Sequence, residues 1–321
     1  MWAPAPNLYW PALRSSAGIR VAAWTVVAAG LAAPALRRRL HPAVVFPLAA
    51  AAPVALCTVV PRSRARDIAL CGMNMWGYLA AYKMPHDRPE RLAGRVHVDY
   101  PIAVDSVLGL GVTPTQRLQR RFARPGQVNR FERLLVFSHW IWFAVPHVSV
   151  AYVLWRDPDR FPGAAARMYA VFDLGAVFYW SVPTAPPWYA AGAGRLDDGR
   201  TAAVRRMMIE YGEQFWGDRW NDLYDVFGGN PLAAMPSLHF ATSLMAAHLL
   251  SEVGPVAGAV GWSYAGILGL ALVYLGEHYA VDLLAGAALA ETVRVGAPRA
   301  APLVRRLSSV LQAVEAKTVS A

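Results

Sequence analysis

Two short stretches carry the residues that could do chemistry. One is Met235-Pro236-Ser237-Leu238-His239, the other Glu277-His278-Tyr279-Ala280-Val281-Asp282. Each opens a hydrophobic run. A helix over Ser237–Leu250, a tight turn and a helix over Pro255–Leu275 return the chain to the membrane face it left. His239 and His278 are therefore expected at one depth, on antiparallel neighbours. His278 and Asp282 stand four positions apart, on one face of a helix and within hydrogen-bonding reach. The carboxylate can accept a proton from one imidazole nitrogen, which fixes the tautomer and leaves the other nitrogen as a nucleophile. His239 across the cleft can then give a proton to a leaving oxygen. Pro236 suits a first helical turn, and free N–H groups there, with the Ser237 hydroxyl, could hold phosphate oxygens. The pattern reads as phosphoryl transfer through a phosphohistidine. Two histidines and one aspartate suffice, with no metal and no cofactor required. One histidine in a membrane helix is often only an interhelical hydrogen-bonder; the paired motifs are far more specific.

The elements that must position these groups are membrane helices. Hydrophobic residues make up 56% of the 321 and charged residues 16%, with a mean hydropathy of +0.29. Soluble domains carry about 25% charged residues, so the composition excludes disorder and argues against one ordinary soluble globule. Apolar runs occur at Val21–Leu36, Ala43–Val60, Leu134–Trp155, Met168–Val182, Ser237–Leu250, Pro255–Leu275 and Tyr279–Val295. The last three form the motif-bearing core, and six of these seven runs are expected to span, with a seventh span if the short helix Ile68–Tyr82 also crosses. Arg14 and Arg20 before the first run imitate a signal peptide, but the second run follows so closely that an uncleaved span is expected. The reading divides the chain into a transmembrane hairpin (1–66), a short apolar helix with a basic polar segment (67–133), a catalytic core (134–295) and a loose polar tail (296–321). Val204, Met208, Tyr211 and Phe215 mark an interfacial amphipathic helix, with Trp216 and Trp220 at the headgroups. The fold class expected is all-α: a polytopic membrane helix bundle with interfacial amphipathic helices.

Net charge is +10, nearly all from arginine, since Lys83 and Lys317 are the only lysines. In a membrane protein this points to anionic lipid headgroups or phosphate substrates, and no nucleic-acid motif is present. The run Arg117 to Arg124 reads as a headgroup contact. Cys57 and Cys71 read as buried free thiols, and no cysteine/histidine cluster suggests zinc. His147 and Asp173 fall inside apolar runs and are expected to face the bundle interior. His248 reads as structural.

At its two motifs the chain resembles the type-2 phosphatidic acid phosphatase superfamily, most closely its inositol phosphorylceramide synthase and sphingomyelin synthase branch. The resemblance rests on Pro236-Ser237-Leu238-His239 and His278-Tyr279-Ala280-Val281-Asp282-Leu283 with Gly286, and Pro183 to Trp188 also resembles inositol phosphotransferase-like members. It implies a six-helix core, His278 as nucleophile, Asp282 as its orienting partner and His239 as acid. The phosphatase branch has a lysine and an Arg-Pro separated by six residues; here Lys83 and Arg88-Pro89 are separated by four, making them the candidate phosphate clamp. Its Ser-Arg before the last histidine is replaced by Ala271-Leu272, which favours the transferase branch and leaves phosphate charge to Arg205, Arg206 or Arg219. The expected function is a multi-pass cell-membrane phosphotransferase moving a phospho-headgroup, phosphoinositol among the candidates, from a phospholipid or lipid-phosphate substrate. The alternatives are a lipid phosphate or diphosphate phosphatase of the same superfamily and, from another class, a lipid or solute transporter. The resemblance implies an outer-face site, whereas arginine counting favours the cytoplasm.

Overall fold

The computed structural model describes residues 16–124, 126–196, 204–227 and 229–319. Arg14 lies outside the described residues. Among the described residues there are fifteen α-helices, no strand and two isolated β-bridges. The chain is an all-α membrane helix bundle, and it forms two compact units.

The first unit comprises residues 1–81 and 300–321. It holds α1 (Ser16–Ala35), α2 (Pro42–Val59) and most of α3 (Arg64–Lys83). Gly30 sits against Ala52 and the Leu48 carbonyl, where any side chain would collide, so α1 and α2 pack closely. Trp76 donates to the Leu31 carbonyl at 2.9 Å. The expected loose tail is instead helical to Val319. Glu315 accepts from Arg66 at 3.1 Å, and Thr318 donates to the Thr58 carbonyl, so polar residues are the ones that tie this segment down. Cys57 and Cys71 are not joined in a disulfide and are half-buried rather than buried.

The second unit comprises residues 82–299. Its helices are α4 (Pro89–Ala93), α5 (Asp99–Leu108), α6 (Pro114–Phe122), α7 (Arg130–Trp140), α8 (Val145–Arg156), α9 (Phe161–Ser181), α10 (Pro187–Gly192), α11 (Met207–Trp216), α12 (Arg219–Phe227), α13 (Leu238–Val253), α14 (Pro255–Tyr274) and the start of α15 (Ala280–Val319). The expected span Leu134–Trp155 is broken: α7 runs into a 3-10 turn over Ile141–Phe143 and bends 58° into α8. Pro146 has no N–H to offer the Trp142 carbonyl, which accounts for the break. By length and apolarity three helices (α1, α2 and α14) can cross a membrane, or four with the broken pair, against the six expected. α13 ends after 16 residues at the Gly254-Pro255 corner, too short at about 1.5 Å per residue for a full crossing. α9 carries Arg167 and Asp173, and Asp173 lies on its exposed face rather than toward the interior.

The polar segment before α7 is folded. Thr115 of α6 donates to the Val273 carbonyl at 2.9 Å, and Gln119 donates to the Tyr274 carbonyl at 2.8 Å. These side chains add donors to the carbonyls at the end of α14, which lack a full set of helical partners. Asn129 and Glu132 form a capping box on α7, and the buried Glu132 also accepts from the Tyr274 hydroxyl at 2.7 Å. α11 starts at Met207, so Val204 to Arg206 lie outside the expected amphipathic helix. Trp220 is buried against Gly212 and Trp140, in the core rather than at the headgroups.

Candidate active site

The turn between α14 and α15 delivers His278. Gly276 has φ +82°, and its N–H and that of Glu277 donate back to the Val273 and Leu272 carbonyls at 3.3 and 3.1 Å. This is a Schellman ending, which reverses the chain within three residues. His278 therefore precedes α15 instead of lying on it, as the spacing alone suggested. Asp282, in the first turn, folds back: its Oδ2 accepts from the Tyr279 N–H at 2.9 Å and lies 3.3 Å from His278 Nδ1. The carboxylate thus caps its own helix and holds the imidazole.

His239 arrives on α13. Ser237 is its N-cap, fully buried, with Oγ accepting from the Phe240 N–H at 3.3 Å. The hydroxyl expected to hold phosphate is used to start the helix. Pro236 lies before the cap, not in the first turn, and its carbonyl accepts from the Tyr179 hydroxyl at 2.9 Å. The two helix starts are joined directly: Ser237 N–H donates to the Asp282 carbonyl at 3.0 Å. Gly286 allows this approach, since a Cβ there would stand 2.5 Å from the Ser237 carbonyl oxygen. As a result His239 Nδ1 lies 3.2 Å from His278 Nε2.

Several groups that surround the pair were not read from the sequence. Asp105 of α5 is fully buried; its Oδ1 accepts from the Val281 N–H at 3.0 Å, so it secures the start of α15 from another helix. Burial pushes its carboxyl up to about 6, and the neighbouring Asp282 adds to the rise. The Tyr100 hydroxyl lies 3.1 Å from Thr184 Oγ1 and donates to Met235 Sδ; burial raises its proton affinity too. Segments around His97, Thr184 and Ala233 are bridged to one another, so the Pro183–Trp188 stretch sits between two other loops. Asp105 and Tyr100 lie in the arginine-rich polar segment, where no motif drew attention to them. His139 stacks on His239 with ring centroids 4.9 Å apart. The intramembrane-histidine argument that singled out His147 would also have found it.

The other expected residues fall as follows. Lys83 closes α3 half-buried, and Arg88 precedes α4 exposed, separated by the turn over 84–87. Neither is among the charged groups acting on His139 or His239. Arg205 is engaged by Glu210 at 3.1 Å and by the Arg124 carbonyl at 2.6 Å. Arg206 pairs with Glu277, the residue before His278, at 3.0 Å and lies 3.9 Å over the Trp188 ring. Arg219 is exposed. His147 stacks on Phe172, and His248 lies 2.6 Å from Glu291. Among the described residues no histidine, cysteine and carboxylate cluster is arranged to hold a metal ion.

Comparison with known proteins follows the same residues. Over 165 residues the chain is 29% identical to the inositol phosphorylceramide synthase catalytic subunit aur1 of Schizosaccharomyces pombe, covering 47% of this chain and 37% of that protein. It is also 29% identical over 165 residues to the inositol phosphorylceramide synthase of Candida albicans, covering 48% of this chain and 34% of that protein. The aligned part is thus little more than a third of either relative's length. No solved structure is significantly similar. The PAP2 superfamily pattern matches residues 102–293, a stretch that contains both histidine motifs and Asp105, and the chain belongs to that superfamily.

Proposed function

We propose that the chain is a membrane phosphotransferase that moves a phospho-headgroup between lipids through a phosphohistidine on His278. Phosphoinositol is the leading headgroup, because both relatives named above are inositol phosphorylceramide synthases. The observation that carries the reading is the row Asp282 Oδ2, His278, His239, with gaps of 3.3 and 3.2 Å. Asp282 accepts the Nδ1 proton of His278, so Nε2 keeps its lone pair and faces the second imidazole.

His278 Nε2 attacks phosphorus of the donor, and the bond from phosphorus to the lipid alcohol breaks. His239 gives its proton to that departing oxygen. The acceptor lipid's hydroxyl then returns a proton to His239 and attacks phosphorus, and the phosphorus–nitrogen bond breaks. Catalysis rests on positioning and on charge stabilisation at the phosphoryl oxygens. Arg206 is the guanidinium best placed for that charge: Glu277 and Trp188 hold it in the turn that carries His278. Water as acceptor would give hydrolysis by the same steps; the named relatives are synthases, and the Ser-Arg of the phosphatase branch is replaced here by Ala271-Leu272. The cell membrane is the proposed location.

The test is turnover in mixed micelles, with headgroup-labelled phosphatidylinositol as donor and ceramide or diacylglycerol as acceptor. Label should move to the acceptor with the wild-type chain and not with His278→Ala or His239→Ala. Full activity in either folded variant refutes the reading.

A further inference from the structure

His139 closes α7 and is 5% exposed. Neither of its ring nitrogens has a hydrogen-bond partner among the described residues. A buried imidazole left in this state costs stability. A phenylalanine would fill the position without that cost. The ring lies against the site: it stacks on His239 at an interplanar angle of 27°, and Glu277, His278 and Arg206 all lie within its electrostatic reach. Trp142, three residues on, lies 4.1 Å from the His239 ring and donates to Thr242 at 2.9 Å. The end of α7 and the turn after it therefore press two rings on His239, and only one of the two has its polar atoms engaged.

We propose that His139 is a third substrate-contacting imidazole, whose N–H donates to a non-bridging oxygen of the phosphoryl group under transfer. The proposal rests on the phosphohistidine reading above. When phosphorus bonds to His278 Nε2, charge builds on its equatorial oxygens. A neutral imidazole donor beside His239 meets that charge without adding a second full positive charge to the pair. Such donors act most strongly where charge develops in the transition state. The loss is therefore expected in kcat more than in KM.

The test compares three variants with the full-length wild type in detergent, each checked for monodispersity and thermal unfolding. His139→Phe keeps a ring of similar size and removes both nitrogens. His139→Asn and His139→Gln return an amide N–H near one or the other nitrogen. His139→Phe should lower kcat about 10- to 100-fold with KM little changed, and one amide variant should recover part of that loss. Activity of His139→Phe within twofold of wild type overturns the proposal, as does failure of both amides to exceed it. If His139→Phe does not stay monodisperse, the imidazole ¹⁵N resonance of His139 in the wild type is followed as orthovanadate is added; a shift supports the contact and no shift overturns it. His278→Ala is run in parallel. An inactive His278→Ala beside an unimpaired His139→Phe removes only this assignment, whereas an active His278→Ala removes the phosphohistidine reading and this assignment with it.

Discussion

Gly286→Ala tests whether the site depends on the close approach of two helix starts. The added Cβ would stand 2.5 Å from the Ser237 carbonyl oxygen and 3.5 Å from the Ala241 nitrogen. Ordinary non-bonded contact begins near 3.5 Å, so α13 and α15 must separate by roughly 1 Å at this point. The neighbour is backbone, and its carbonyl already accepts from the Ala241 N–H at 2.9 Å, so no side chain can rotate away. Overpacking of this kind costs about 1–3 kcal/mol, which a folded bundle survives. The His239–His278 gap is not so tolerant, because a 1 Å misplacement at a reacting centre costs about 100-fold in rate. The expected outcome is a lower unfolding temperature and a loss of headgroup transfer of about 100-fold, read in mixed micelles with a labelled phospholipid donor. Gly266→Ala is the control: that glycine has no neighbour within 4 Å of a built Cβ, and the variant should transfer at the wild-type rate. If Gly286→Ala keeps activity within threefold of wild type, the geometric argument is wrong.

Other expectations concern the groups around the pair. Arg206→Gln should raise KM and lower kcat/KM for a phospholipid donor by about 10- to 100-fold, while Arg219→Gln should leave both unchanged. Asp105 gives a pH dependence whose sign is fixed. Its carboxyl titrates near 6 when folded against an ordinary value of 3.8, so the folded chain holds this proton more tightly than the unfolded chain. Its stabilising contribution is complete below about pH 4 and is lost as pH rises through 6. Asp105→Asn keeps an acceptor for the Val281 N–H and cannot ionise. Unfolding midpoints of the two proteins should therefore shift in favour of the variant between pH 4 and 7; a constant difference across that range counts against the buried carboxylate.

The meeting of His239 and His278 was legible because their signals are local. His239 and His278 each stand at the start of an apolar run, and the one apolar run between them, with a short turn at each end, returns the chain to the same face. The backbone detail was not legible. The four-residue spacing of His278 and Asp282 suggested one helix face, yet the pairing is made across the helix start, because Gly276 ends α14 with a left-handed residue. Ser237 was read for its phosphate-holding hydroxyl, and its role as the cap of α13 was not read. The helices in the polar segment before α7 were not legible because hydropathy registers only apolar faces. α6 is buried through Thr115, Gln116 and Gln119, which hydrogen bond to other backbone segments and leave no apolar stripe. The same blindness hid Asp105 and the role of Glu315 in holding the last helix. Fewer helices than expected have the length and apolarity of a full crossing, because Pro146 breaks Leu134–Trp155 into α7 and α8 and α13 ends after 16 residues at Gly254.

The most direct measurement is of the covalent intermediate. The wild-type protein is mixed briefly with phospholipid donor labelled in its phosphate, quenched at alkaline pH and digested for mass spectrometry. The account predicts an acid-labile phosphoryl adduct on the His278 peptide, which is absent in His278→Ala and is consumed when acceptor lipid is added. Transfer of label to the acceptor with no adduct on His278 at any quench time, or an adduct on another residue, contradicts it.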